Sequence, residues 1–174
     1  MTDPRFPVGR LDVKSDPLTP LERAALIEII ALHPQHLLAA VDGLDDEQVD
    51  TPYREDGWTV RQLVHHIADS HMNSYVRFKM AVTADHPTIC TYDQDAWADL
   101  EDTRDDISVS LDLITALHRR WSTFLSSLLP EDFSRTVHHP EMGSITVDTL
   151  LEVYAWHCRH HTAHVTELRH SRGW

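Results

Sequence analysis

The run Trp156-His157-Cys158-Arg159-His160-His161-Thr162-Ala163-His164 sets four histidines at offsets 0, 3, 4 and 7. At roughly 100° per residue on a helix, all four fall within an arc of about 100°. Leu150, Val153, Tyr154 and Leu168 lie on the same arc, so the stripe points to where this helix buries itself. Imidazoles aimed into a core need partners, because an unpaired polar group there costs roughly 1–3 kcal/mol. A metal ion satisfies several converging rings at once, and neutral histidine is its usual ligand.

Working outward, the helix that carries the stripe starts near Thr146 or Asp148 and stops before Gly173. Three more amphipathic helices precede it. The first runs from about Thr19 to Val41, with proline at its first helical position. Pro34 is expected to kink or split it, since proline removes a backbone donor and crowds the preceding turn. The second opens at Thr59, where Thr59-Val60-Arg61-Gln62 reads as a capping box, and continues to about Val82. The third spans roughly Ser108 to Leu128, with Leu111, Ile114, Leu117, Trp121 and Leu125 at three- and four-residue intervals. Residues 86 to 104 show no clear period and read as a loop with a short helical turn. Residues 135 to 146 read as a small hairpin. The expected architecture is all-α, a four-helix bundle with a short β-hairpin before the last helix, in a single domain over residues 1–174.

Composition narrows the function. Fifteen Lys+Arg against 28 Asp+Glu give a net charge of −13, a field that repels phosphate backbones and anionic membranes. Nucleic acid and membrane are therefore not expected partners. The two cysteines, Cys90 and Cys158, lie far apart and suggest no disulfide framework. The segment Met1-Thr2-Asp3-Pro4-Arg5-Phe6-Pro7 lacks the pattern of a signal peptide. No uninterrupted apolar run approaches the roughly 20 residues that span a bilayer. The expected location is cytoplasmic.

Spacing alone leaves the ligand set open. His157 with His161, and His160 with His164, are both pairs four apart that could chelate one ion. A third ligand is expected from the second helix, where Val64-His65-His66-Ile67-Ala68-Asp69-Ser70-His71 offers three candidates. Periodicity slightly favours His71 and does not separate His65 from His66. His33, His36, His86, His118, His138, His139 and His170 sit at helix edges or in loops, where histidine is usually a surface residue. Cys158 reads as a small buried side chain. Asp69 and Glu167, each three residues after a candidate ligand, could be helper carboxylates or simply solvated ones.

The run from Asp50 through Gly57-Trp58-Thr59-Val60-Arg61-Gln62-Leu63-Val64-His65-His66 to Tyr75 resembles the DinB-like superfamily. It is similar in particular to its YfiT-type branch of metal-dependent hydrolases and bacillithiol transferases. Tyr92-Asp93, Ala96-Trp97, the run from Trp156 to His164, Phe6-Pro7-Val8-Gly9 and Gly173-Trp174 extend the resemblance over nearly the whole chain. It implies a four-helix bundle, a homodimer and one divalent metal per subunit, zinc foremost and nickel as the alternative. It places the ligands at His66, His160 and His164 in preference to His71, whose role stays open, and His157 and His161 are then left to supporting or packing roles.

Three neutral histidines leave a coordination position open, as catalytic zinc sites do. The expectation is a metal-dependent hydrolase acting on a small molecule through an activated water. The alternatives are an S-transferase for a low-molecular-weight thiol, with Arg61, Arg77 and Arg159 as candidate thiol-pocket residues, and a non-catalytic metal-binding bundle. No catalytic base is assigned.

Overall fold

The computed structural model describes residues 3–174; Met1 and Thr2, where the expected domain begins, lie outside them. The elements run α1 (Pro20–Val41), α2 (Asp46–Val49), α3 (Val60–Thr83), α4 (Gln94–Ala98), α5 (Ile107–Ser126), β1 (Thr136–His139), β2 (Gly143–Thr146) and α6 (Val147–Arg172). Short 3-10 turns at Glu101–Arg104 and Pro130–Ser134 flank α5. The four long helices are those expected from periodicity, with ends shifted by a residue or two.

Their boundaries follow from local chemistry. Thr19 and Glu22 form a capping box with Pro20 at the first position of α1, and Thr59 and Gln62 form another at α3, each satisfying otherwise orphaned amides. Thr146 caps α6, and Gly173 ends it in the left-handed region at φ 70°, a conformation open to glycine at little cost. β1 and β2 pair antiparallel from Thr136↔Thr146 to His139↔Gly143.

Pro34 does not split α1, which is one element from Pro20 to Val41. The ring of Pro34 is buried among Ile30, His33 and Leu37, so packing holds the helix through the missing backbone bond. By length and composition alone α1 could cross a bilayer, and the expectation of no such stretch holds only for uninterrupted apolar runs. Within this fold α1 packs on α5 and α6, and α3 packs on the same two helices. That ring of neighbours closes the bundle. One core cluster joins Ile30, Phe78, Trp121, Leu125, Leu151 and Tyr154; a second joins Leu37, Val60, Leu63, Ile67, Ile114 and Val165.

Two connecting segments position the site. The N-terminal arm runs along α6, tied by Trp156 Nε1 donating to the Gly9 carbonyl at 3.0 Å and by the Leu18 amide donating to Asp148 at 3.1 Å. The 52–59 turn is closed by a Pro52↔Thr59 bridge and by the Tyr53 amide donating to the Trp58 carbonyl at 3.1 Å. It holds Tyr53 and Trp58 over the histidines of α3 and α6.

Candidate metal centre

His66 stands on the second turn of α3 and faces α6. Its ring centroid lies 5.5 Å from that of His157 and 5.1 Å from that of His161. The Nε2 atoms of His157 and His161 are 3.1 Å apart. Each of the three rings offers a nitrogen within 4.8 Å of those of the other two. Trp58 covers His66 at 4.5 Å, and the His66 ring makes no hydrogen bond to another described residue. Burial pushes its pKa down to about 4 and holds those of His157 and His161 well below the ordinary range. All three are thus neutral, the form that donates a lone pair to a metal.

This is not the trio implied by the resemblance. The structure brings His66 to His157 and His161; His160 and His164 form a separate group with His161. The reason is helical phase. His160 and His164 each sit three residues beyond a member of the first pair, so they point about 60° away around α6. That turns them from α3 toward the arm and the 52–59 turn. Trp156 stacks on His160 at 4.2 Å, Phe6 lies 6.2 Å from it, and Tyr53 covers His164 at 4.2 Å. Their Nε2 atoms are 3.1 Å apart. Burial lowers the pKa of His160 to about 4 and that of His164 to about 3.

The other two α3 histidines have different partners. His65 points to α5, with Nε2 donating to the Asp105 carbonyl at 3.1 Å and Nδ1 accepting from Ser110 Oγ at 2.7 Å. Both its nitrogens are occupied. His71 is fully buried, 2.8 Å from His118 Nε2 and 3.0 Å from His157 Nδ1.

His33 and His118 correct the expectation that they are surface residues: they are 1% and 0% exposed. The signal was present in the spacing. His118 lies four after Ile114 and three before Trp121, and His33 lies three after Ile30 and four before Leu37, all core positions. Cys158 is buried as expected, and burial pushes its thiol pKa up. Glu167 is exposed and Asp69 half-buried.

A cavity of about 530 Å³ opens above His157, His160, His161 and His164, walled by Phe6, Tyr53, Trp58 and Trp156. Its cations are Arg54 and Arg5, the latter paired with Asp3 at 2.9 Å, and Asp56 and Asp95 also line it. Arg61 and Arg77 do not line it. Arg61 is held by Asp50 at 2.6 Å, and Arg77 donates to Tyr154 Oη at 3.0 Å and to the Cys90 carbonyl at 2.7 Å. Arg159 is exposed and lines a different cleft, beside His36 and Thr166.

Residues 29–165, which span all three histidines, match the DinB superfamily. The chain belongs to the DinB superfamily. A Bacillus cereus protein named “Putative metal-dependent hydrolase” is 47% identical over 174 residues, with the whole of each chain covered. A Bacillus anthracis protein of the same name is 46% identical with the same coverage. The solved structure of YfiT from Bacillus subtilis, described as a probable metal-dependent hydrolase with an unusual four-helix bundle topology, superimposes with a TM-score of 0.96 at 42% identity over 99% of both chains. A four-helix bundle protein named TT2238 shares the fold, with a TM-score of 0.55 at 17% identity over 87% of this chain and 99% of its own.

Proposed function

We propose that this DinB superfamily protein is a metal-dependent hydrolase whose single divalent ion, zinc foremost, is held by His66, His157 and His161. The observation that carries the reading is the convergence of three neutral imidazoles from two facing helices, His66 and His161 buried and His157 half-buried, with the His157 and His161 Nε2 atoms 3.1 Å apart, beneath the cavity. The donor set fits such an ion: three nitrogens, no thiolate and no carboxylate, which suits zinc or nickel and leaves room for a further ligand. When bound, the ion would supply Lewis acidity, lowering the pKa of a water it holds toward about 7.

The chain's own residues do the rest. Trp58 packs on His66, and with Tyr53, Phe6 and Trp156 it makes an aromatic wall that excludes bulk water from the ligand face. Arg5 and Arg54 line the cavity and give an anionic substrate group a place to bind. His160 and His164 share one hydrogen bond through their Nε2 atoms, so one ring offers an acceptor to the other at the cavity wall. The relatives' names support the hydrolase reading over the other two. We also propose that the protein is a cytoplasmic homodimer, as the family resemblance implies; a light-scattering mass of one 20.0 kDa chain overturns the dimer.

Metal-loaded protein is to be offered a panel of esters and amides, and separately a low-molecular-weight thiol with an epoxide or a chlorinated aromatic. Metal-dependent ester or amide cleavage is expected. Thiol conjugation without cleavage reassigns the protein to the transferases, and neither activity in metal-replete protein leaves a non-catalytic bundle.

A further inference from the structure

Four polar groups form an unbroken chain from the far side of the bundle to the metal centre proposed above. Proline has no amide hydrogen, so Pro34 leaves the Ile30 carbonyl, four residues earlier, without its helical donor. His118 Nδ1 lies 2.6 Å from that oxygen. A carbonyl only accepts, so His118 must carry its proton on Nδ1. Its Nε2 is then a lone pair, and it faces His71 Nδ1 at 2.8 Å. His71 must therefore be protonated on Nδ1 as well, which leaves its Nε2 to accept from His157 Nδ1 at 3.0 Å. That last bond puts the His157 proton on Nδ1 and its lone pair on Nε2, the atom 3.1 Å from His161 Nε2.

We propose that Ile30, His118 and His71 form a hydrogen-bond relay that fixes the tautomer and ring orientation of His157, so that its Nε2 lone pair is permanently presented to the metal. His118 and His71 are positioning residues; neither touches the ion. The inference rests on the His66, His157, His161 reading for its consequence, but the order of tautomers stands on the hydrogen bonds alone. The surroundings enforce it. Trp121 and Tyr154 pack edge-on around His71 at 5.7 and 6.0 Å, and His71 and His118 are both fully buried, so neither of these two rings can turn to water for a replacement partner. A neutral ring has one donor and one acceptor, so the Ile30 carbonyl at one end sets which nitrogen donates at each step of the chain. A reversed His157 would set two lone pairs, or two hydrogens, against each other at 3.0 Å. Partners of this kind, orienting a ligating imidazole through its other nitrogen, typically carry 10–100-fold in metal affinity.

The nearest competing arrangement is a second metal held by His33, His71 and His118, whose nitrogens also lie within 4.8 Å of one another. Both nitrogens of His71 and both of His118 are already committed to bonds of 2.6–3.0 Å, which leaves only His33 Nε2 without a partner.

Nitrogen-15 imidazole spectra of the full chain, zinc-free and zinc-loaded, test the relay without any substitution. His118, His71 and His157 are all expected as the Nδ1–H tautomer in both states. Chelator competition should then show zinc affinity falling 10–100-fold in His118→Phe and His71→Phe. His71→Gln, whose side-chain carbonyl can still accept from His157, should stay closer to the native value. An Nε2–H tautomer of His157 in the zinc-free native protein overturns the relay, as does native zinc affinity in folded His118→Phe and His71→Phe. A second zinc per chain, lost in His33→Ala, overturns it too. Full zinc binding by His157→Ala would instead strike at the metal-site reading and leave the tautomer order intact.

Discussion

Pro34 and His118 are joined through a single atom: the Ile30 carbonyl, freed by the proline, receives the His118 Nδ1 hydrogen bond at 2.6 Å. A residue that reads in sequence as a helix fault thus supplies a fixed acceptor inside the bundle. The core is consequently not purely apolar between α1, α3, α5 and α6. It contains a chain of polar contacts from Ile30 through His118 and His71 to His157, a member of the proposed metal centre.

The sharpest prediction separates the two histidine pairs of α6. His157→Ala and His161→Ala should each abolish stoichiometric metal, as should His66→Ala, because each removes one of three converging nitrogens. His160→Ala and His164→Ala should keep about one ion per chain while altering the cavity wall. Metal content by elemental analysis checks all five, and the reverse pattern would restore the ligand set implied by the family resemblance.

Helix phase explains why this point was hard to read from sequence. Periodicity placed four histidines on one arc and identified four long helices, because each helix repeats its apolar residues over several turns. It could not say which side of the α6 arc faces α3. That depends on how two helices are rotated against each other, a tertiary quantity. The roles of His65, His66 and His71 were ambiguous for the same reason: all three are buried, toward α5, α6 and the bundle centre respectively. His118 and His33 were legible in principle, since both keep core spacing, but a histidine on such a spacing is easily discounted. The acceptor at Ile30 was not legible at all without the partner across the bundle.

Acid should unfold the protein earlier than its carboxylates alone would dictate. Burial lowers the pKa of His33 to about 3 and that of His118 to about 4, while in the unfolded chain both return to about 6.5. Below pH 6.5 the unfolded state therefore takes up protons that the folded state refuses. Stability is complete above that value and falls as pH drops toward 4, by up to about 1.4 kcal/mol per pH unit for each such ring. Urea titrations of metal-free protein at pH 7.5, 6.5 and 5.5 should show a falling midpoint, and a flat one refutes the argument.

Asp148 anchors the start of α6 to α1. It accepts from Arg23 Nε and Nη2, both at 2.8 Å, and from the Leu18 amide at 3.1 Å. Arg23 and Asp148 side chains are only 13% and 9% exposed. Asp148→Ala should cost about 3 kcal/mol, since it leaves a largely buried guanidinium unpaired. The double variant Arg23→Met/Asp148→Leu should recover much of that loss, because an apolar pair leaves no stranded charge. Denaturant unfolding of the three proteins measures both effects, and a single-variant loss under 1 kcal/mol would show the pair to be as weak as a surface one.

The adjacent histidines of α3 should dissociate cleanly. His66 has no hydrogen bond to another described residue, and its ring lies between Trp58 and the pair His157 and His161, where the proposed ion would sit. His66→Ala should therefore lose the ion, with its stability cost confined to the lost packing against Trp58. His65 makes no approach to that face; its two nitrogens tie α3 to Ser110 and to the Asp105 carbonyl. His65→Ala should keep a full complement of metal and destabilise the fold by about 1–3 kcal/mol, the cost of stranding buried partners. The readouts are metal content and denaturant midpoint on the same two variants. Loss of metal in His65→Ala with retention in His66→Ala would place the α3 ligand on the wrong side of the helix, and with it the whole rotation of α3 against α6 described above.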